Sequence, residues 1–378
     1  MLEKIYAIPL PQLIVYISLI ILTIRFLYDF ILLITIVKKQ KKYTQEKNEI
    51  PVSVIICAKN EANNLRNHLP IICEQNYSNY EVIVVNDASE DDTHRVLMEF
   101  DQKYTHFRYT HIHKDDKFDH GKKLALTVGV KSAKNDYLLL TDADCKPKSK
   151  SWVKEMANRL AHKEIVLGYG GYNTEKSLLN RFIRFDTLQI ARNFMGFARI
   201  GIPYMGVGRN LGWHRKVYDK AKGFSSHYHL KSGDDDLLVN QMANRKNTLV
   251  CLSPTSHTLS VPEKKFSHWF LQKRRHLTAG VKYRFIHKII LSFDSLLKLI
   301  TWPIFAVALI FAHVFTPFVY IFVGTFFLWH LFAWKMIMNK LKEKGFLLLI
   351  PFFEVFISIL PFIILTKNFV QRKQSQWK

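Results

Sequence analysis

"LLLTDADCKP", residues Leu138 to Pro147, runs from an unbroken apolar stretch straight into two aspartates separated by one alanine. Side chains alternate along a strand, so Asp142 and Asp144 at a strand end aim the same way. Two carboxylates so close repel unless a cation sits between them. Oxygen donors suit Mg2+ or Mn2+, ions commonly bound through one or two carboxylates plus the phosphates of a substrate. The plain alternative is a solvated turn, where aspartate is common.

What precedes this stretch gives it weight. "VSVIICA" (Val52 to Ala58) is a short β-branched run of the kind found in buried parallel strands. "KNEANNLRNHLPIICEQ" then turns to helical spacing, and "YEVIVVND" (Tyr80 to Asp87) predicts a second strand. "ASEDDTHRVLMEF" caps and enters a helix, "FRYTHIH" predicts a third strand, and "HGKKLALTVGVKSA" a third helix. "DYLLLTDAD" is therefore the fourth strand of a strand-helix alternation, which implies an α/β, Rossmann-like, mostly parallel sheet with helices on both faces. Ligands of such sheets sit beyond the carboxyl ends of the strands. Asn60, Asp87, Asp142 and Asp144 all fall at those ends. No GxGxxG follows the first strand and no GxxxxGK[ST] occurs, so dinucleotide and P-loop chemistry have no support.

The remaining candidates are polar clusters. Asp87 either caps the next helix with Ser89 or accepts a hydrogen bond from a nucleotide. Lys122 follows Gly121 at a helix start and could reach a phosphate or a base. "SGDDDLLVNQMANR" (Ser232 to Arg245) sets Asp234, Asp235 and Asp236 in a helix's first turn, where the dipole favours acids. Three exceed the need of a cap, so one could act as a general base. From Lys264 to Phe293 there is no acid until the end is passed, and "FLQKRRHLTAG" reads as a membrane-apposed amphipathic helix with Trp269 and Phe270 in the interface. Arg274 or Arg275 could meet a departing diphosphate.

The ends are more apolar than the middle. Leu10 to Val37 is long enough to cross a bilayer, too long for a signal peptide, and followed by "KKQKK", which places that end in the cytoplasm. Arg25 and Asp29 lie within it, four apart: a mutually neutralising pair, or a polar lining for a lipid path. "HVFTPF" breaks a second apolar stretch into a hairpin, with Trp302, Trp329 and Trp334 suited to the interfaces. Phe346 to Thr366, with Pro351, Glu354 and Pro361, either crosses or bends back; a basic tail favours bending. The expected divisions are 1–42, 50–263, 264–292, 293–338 and 339–378.

In a chain of 378 residues, the net charge of +23 favours anionic partners, and four scattered cysteines suit a reducing compartment. Acids facing one cleft argue against nucleic acid as the partner.

Seven pieces, "SVIICAKNEANNL", "VIVVNDASEDDT", "GKKLALTVG", "LLTDADC", "GVGRNLGWHR", "GDDDL" and "QKRRH", come in an order that resembles the membrane-bound family-2 glycosyltransferases of GT-A fold, the group of cellulose, chitin and hyaluronan synthases and lipid glucosyltransferases. The resemblance implies inverting transfer from a nucleotide-diphosphate sugar, at the cytoplasmic face of the cell (inner) membrane, to a lipid, lipid-linked or envelope glycan acceptor. It implies donor contacts at Ala58, Asn60, Glu61, Asp87, Lys122, Asp142 and Arg275, and a divalent cation (Mg2+ or Mn2+) on Asp142 and Asp144. Aligning "DL" on Asp236 and Leu237 implies a base at Asp234, with Asp235 as the alternative because Gly233 replaces the family's Glu. Gln272 and Arg275 match the Gln-x-x-Arg-Trp signature, whose Trp is His276 here; that departure favours single transfer over a processive polysaccharide synthase. A membrane nucleotidyltransferase and a non-enzymatic binder of anionic ligands are the rival classes. Membrane lipids are expected partners.

Overall fold

A computed structural model describes residues 9–44, 49–114, 121–228, 230, 232–315 and 317–371. Arg372, Lys373 and Lys378 of the basic tail, and His120, lie outside them. The chain divides into a central unit, Lys39–Arg284, and a second unit made of Met1–Lys38 with Phe285–Arg372.

The central unit is built on ten strands: β1 (Val52–Ala58), β2 (Tyr80–Asp87), β3 (Phe107–Ile112), β4 (Tyr137–Asp142), β5 (Cys145–Pro147), β6 (Ile165–Gly168), β7 (Gly170–Tyr172), β8 (Leu211–His214), β9 (Thr248–Cys251) and β10 (Thr258–Ser260). Seven form one sheet in the order β3-β2-β1-β4-β8-β6-β9. β3, β2, β1 and β4 run parallel, and β6 runs parallel to β9. β8 is antiparallel to both its neighbours, so the sheet is mostly parallel, as the sequence pattern and the family resemblance led us to expect, with one reversed strand. A small sheet, β5-β10-β7, begins directly after the two aspartates.

Val52, Val54 and Ile56 alternate with Ile55 on β1, and all four are buried, because helices cover both sides of a parallel sheet. Helices Ala62–Cys73 and Thr93–Lys103 pack on one face through Leu65, Leu69, Val96 and Leu97. On the other, the helix Lys122–Ser132 lies so close that a Cβ on Gly129 would stand 2.5 Å from Ile55 Cγ2. At the amino ends of the strands, the Glu81 carboxylate accepts from Ser53 Oγ at 2.5 Å, from the Lys134 N–H at 2.7 Å and from Arg108 Nε at 3.0 Å. These bonds saturate one end of the sheet, so the polar groups at the carboxyl ends stand apart as a separate cluster.

In the second unit, among the described residues, four helices are long and apolar enough to cross a membrane: Leu10–Val37, Phe285–Ile310, Phe318–Leu341 and the stretch Leu347–Ile364. The hairpin expected from residue 293 starts earlier, at Phe285. Its polar residues are absorbed within the unit: Lys298 pairs with Asp294, which accepts from Tyr28 at 2.9 Å. The last segment is helical over Ile350–Gln371, with Pro361 inside it. Its acid is neutralised: Glu354 accepts from Arg25 at 2.8 Å and from Trp302 Nε1 at 3.0 Å, and His330 Nε2 lies 3.2 Å away. Arg25 also pairs with Asp29 at 2.8 Å, and His330 Nδ1 lies 3.1 Å from Asp29. Arg25 and Glu354 are completely buried, which suits mutual neutralisation and not the lining of a path. Trp334 is buried and Trp302 is engaged with Glu354, so these two tryptophans serve the bundle interior instead of an interface.

Arg25→Met would remove the guanidinium that bonds to both Asp29 and Glu354. Breaking a buried pair in this way costs about 3–5 kcal/mol. A lowered thermal midpoint in detergent is the expected result, and an unchanged one would show the cluster to be dispensable.

Candidate functional site

The site starts where β1 and β2 end. After Ala58 the backbone turns through Asn60, whose φ of 57° is one that asparagine tolerates better than most residues. The Asn60 N–H donates to Ser89 Oγ at 2.9 Å, and its Oδ1 accepts from the Glu90 N–H at 2.8 Å. Glu61 and Ala62 donate their N–H groups to Thr93 Oγ1 and Asp91 Oδ2. The loops after β1 and β2 are thus stitched together. Asp87 is fully buried at the end of β2, and Asn86 beside it accepts from the Ser89 N–H at 3.2 Å. Glu61 is raised from the ordinary carboxyl range by burial, with Asp144 and Asp142 near enough to add to the shift.

Asp142 and Asp144 converge. One carboxylate oxygen of each and the Cys145 thiol lie within 4.8 Å of one another. Burial and the neighbouring Asp142 charge push Asp144 up to about 6. Its Oδ1 accepts from the Cys145 thiol at 3.1 Å, and that sulfur is 2.7 Å from Ser260 Oγ on β10. Two hard oxygen donors in a crowded anionic corner fit a divalent cation of the Mg2+ or Mn2+ type, whose other ligands would come from water and phosphate. Opposite them stands Arg209, brought there by the antiparallel pairing of β8 with β4; Thr141 Oγ1 donates to its carbonyl at 3.1 Å. Its guanidinium lies 4.5 Å from the centre of the Tyr172 ring and its charge bears on Asp144.

The "GDDDL" turn meets the same corner. Lys122 Nζ lies 2.8 Å from Asp142 Oδ1 and 3.1 Å from Asp234 Oδ2. Burial disfavours the Asp234 charge, but the Lys122 ammonium outweighs it and holds the carboxyl below its usual range. Burial likewise opposes the Lys122 charge, and Asp142, Asp234 and Asp235 overcome it. Gly233 takes φ +96°, and a Cβ there would stand 2.4 Å from Leu237 Cδ1. This is why the position of the family's glutamate is a glycine in this turn. Asp235 is otherwise engaged: it accepts the Gly208 N–H at 2.5 Å and the Asp236 N–H at 2.7 Å. Burial and then Asp234 raise it to about 6. Asp236 accepts from the Tyr283 hydroxyl at 2.7 Å, and burial and then Asp235 raise it to about 8. Lys123, next to Lys122, donates to the carbonyls of His227 and Leu230 and so holds the chain leading into this turn.

The "QKRRH" residues lie on the helix Phe266–Gly280, which belongs to the central unit. Trp269, expected in a membrane interface, is instead buried 5.0 Å from the Phe182 ring. Ser232 Oγ donates to the Arg275 carbonyl at 3.1 Å, tying this helix to the residue before Gly233. Lys273 Nζ sits 2.7 Å from both oxygens of Asp186. Arg274 is buried, while Gln272 and Arg275 are half-buried and His276 is exposed. Desolvation of the ring, followed by the charges of Arg275, Lys273, Arg209 and Lys122, lowers the His276 imidazole from its usual range. The helix therefore faces the acidic corner.

The structure brings together Ala58, Asn60, Glu61, Asp87, Lys122, Asp142, Asp144, Asp234 and Asp235 around the strand ends, with Gln272, Arg275 and His276 on the helix above. Sequence reasoning missed Arg209, Tyr172, Cys145 and the Asp186–Lys273 pair. Arg209 stood inside the quoted "GVGRN", but only the strand pairing reveals that it faces Asp144.

Residues 53–220 match the sequence model of glycosyl transferase family 2. That match covers less than half of the chain, and the sheet with its flanking helices has the GT-A fold. Over 227 residues it is 29% identical to the probable glycosyltransferase YdaM of Bacillus subtilis, covering 55% of this chain and 53% of that protein. An uncharacterized glycosyltransferase of Rickettsia felis is 32% identical over 143 residues, 36% of this chain and 22% of that protein. The chain thus spans about half the length of the first relative and about a fifth of the second. Among solved structures, the mannosyltransferase PcManGT from Pyrobaculum calidifontis, in complex with GDP-Man and Mn2+, aligns with a TM-score of 0.60 at 16% identity, over 95% of this chain and 99% of that one.

Between pH 6 and 8 the folded chain keeps a proton on Asp236 that the unfolded chain, with its carboxyl near 3.8, has lost. Stability from this group therefore falls as pH rises through that window. Asp236→Asn should flatten the decline of thermal midpoint between pH 6 and 8, and a parallel decline in both proteins would remove Asp236 as its source.

Proposed function

We propose that the protein transfers a single glycosyl group, with inversion, from a nucleoside-diphosphate sugar to a hydroxyl of a lipid or lipid-linked acceptor. The observation that carries this reading is Lys122, whose ammonium joins Asp142 of the DxD pair to Asp234 of the "GDDDL" turn. An acid suited to diphosphate binding and an acid suited to taking a proton are thereby set in one corner. The family match and the GDP-Man and Mn2+ held by the PcManGT neighbour support a nucleotide-sugar donor and a divalent ion. The apolar segments on either side of the domain in sequence support a lipid acceptor, and the basic stretch after Val37 supports a cytoplasmic placement at the cell membrane.

In this reading the acceptor oxygen attacks the anomeric carbon from the face opposite the diphosphate, and the bond from that carbon to the diphosphate oxygen breaks. The hydroxyl proton passes to Asp234, which its neighbour Lys122 keeps ionised. Asp234 is favoured over Asp235, because both Asp235 oxygens already accept backbone N–H groups. Asp87 and the Asn60–Glu61 turn bind the nucleoside part. Arg275 and Arg209 are the cations available to the leaving diphosphate. A divalent ion on Asp142 and Asp144 would supply further charge neutralisation there.

The test is incubation of the purified chain in native-lipid nanodiscs with a panel of sugar nucleotides, reading nucleoside-diphosphate release with and without Mn2+ or Mg2+. Pyrophosphate release in its place would point to nucleotidyl transfer. Asp234→Asn should bind nucleotide normally and lose transfer by about 10²–10⁴-fold. Loss of nucleotide binding by that variant would make Asp234 a structural cap. Asp144→Ala should lose turnover while keeping its thermal midpoint; normal turnover would remove the metal assignment.

A further inference from the structure

Lys122 is the first residue of the helix Lys122–Ser132, and its position is set by neighbours that leave it little choice. Lys123, the next residue, is pinned to two carbonyls of the 227–230 stretch. On one side of the Lys122 ammonium stands Asp142, at 2.8 Å, and on the other Asp234, at 3.1 Å. Gly208 closes a third side: a Cβ placed there would come within 3.1 Å of Nζ and 3.3 Å of Asp235 Oδ2. The ammonium is therefore held among acids in a space that a side chain at 208 would invade.

Asp142 cannot serve two cations equally. One oxygen of its carboxylate converges with Asp144, and its Oδ1 pairs with Lys122 at 2.8 Å, so both demands fall on one carboxylate. A divalent ion settling between Asp142 and Asp144 would face the fixed positive charge of Lys122 at close range, in a half-buried corner where screening is weak. We propose that Lys122 is an internal counter-ion, which fills the cation position beside Asp142 in the donor-free protein and moves off Asp142 when a divalent ion seats. Its remaining partner is then Asp234, and its ammonium is released toward whatever anion the ion brings. The ion and the donor are thus linked: the protein alone holds the ion weakly, and an arriving diphosphate, which can take up the freed ammonium, offsets the cost of displacing it.

The assignment of a divalent ion to Asp142 and Asp144 rests on the glycosyl-transfer reading, whereas the competition by Lys122 rests on distances alone. The test uses the full chain in detergent and Mn2+ as the probe, without any nucleotide, with free Mn2+ read by electron paramagnetic resonance. Lys122→Met and Lys122→Gln should each bind Mn2+ about 10-fold or more tightly than the natural chain, because the competing charge is gone. Asp144→Ala should abolish the binding in either background, which ties the signal to this corner. With UDP or GDP present, the same two variants should lose part of the nucleotide-induced gain in Mn2+ affinity that the natural chain displays. Thermal midpoints identify a variant that has not folded, and the other variant then carries the comparison. Unchanged or weaker Mn2+ binding in a folded variant would overturn the proposal. A chain that shows the competition yet releases no nucleoside diphosphate from any sugar nucleotide would keep this inference and lose the glycosyl-transfer reading.

Discussion

An ammonium wedged between two carboxylates is the contact on which the site depends. Asp142 comes from the end of β4 and Asp234 from a turn some ninety residues later, and each is partly desolvated. Left alone, their charges and those of Asp144 and Asp235 would push the two segments apart or force protonation. Lys122 draws them together, and the price appears on the neighbours: Asp144 and Asp235, each beside a carboxylate that Lys122 serves first, rise to about 6. Asp234 is thus held below the usual carboxyl range while Asp144 and Asp235 are raised, a division of labour that suits proton chemistry.

The sheet makes that contact possible. Its amino end is saturated by Glu81, which collects bonds from Ser53, Lys134 and Arg108. Its carboxyl end carries a turn of left-handed backbone at Asn60, and loops tied to one another by Ser89, Asp91 and Thr93. A rigid rim of this sort holds carboxylates at fixed separations without requiring long ordered side chains. The antiparallel insertion of β8 then delivers Arg209 from the opposite direction, something an all-parallel sheet would not do. The second unit solves a similar problem in an apolar setting, where Arg25 bonds to both Asp29 and Glu354 in the buried interior and His330 lies beside both acids.

The parallel core was legible because buried parallel strands must be apolar throughout, so β1, β2 and β4 read as unbroken runs that stop at polar residues. The acids at their ends were legible for the same reason. The small strands β5, β7 and β10 are three residues each, too short to carry any period, and they went unread. Trp269 misled because tryptophan beside many cations looks interfacial, while Phe182, the ring it meets, is nearly ninety residues away in sequence. The partner of Glu354 was not legible, since the arginine that neutralises the acid lies at the far end of the chain.

By itself, then, the sequence determined the strand-helix alternation, the family resemblance, the two aspartates at the end of β4 and the apolar helices, all of which are written in local runs of residues a few positions apart. Only the tertiary structure decided which acid of "GDDDL" meets Lys122, that Asp235 serves as a cap, that Gly233 must be a glycine, and that Arg209 faces the metal corner. Those are matters of which distant atoms touch, and contact across a fold depends on strand pairing and loop closure that no local pattern encodes.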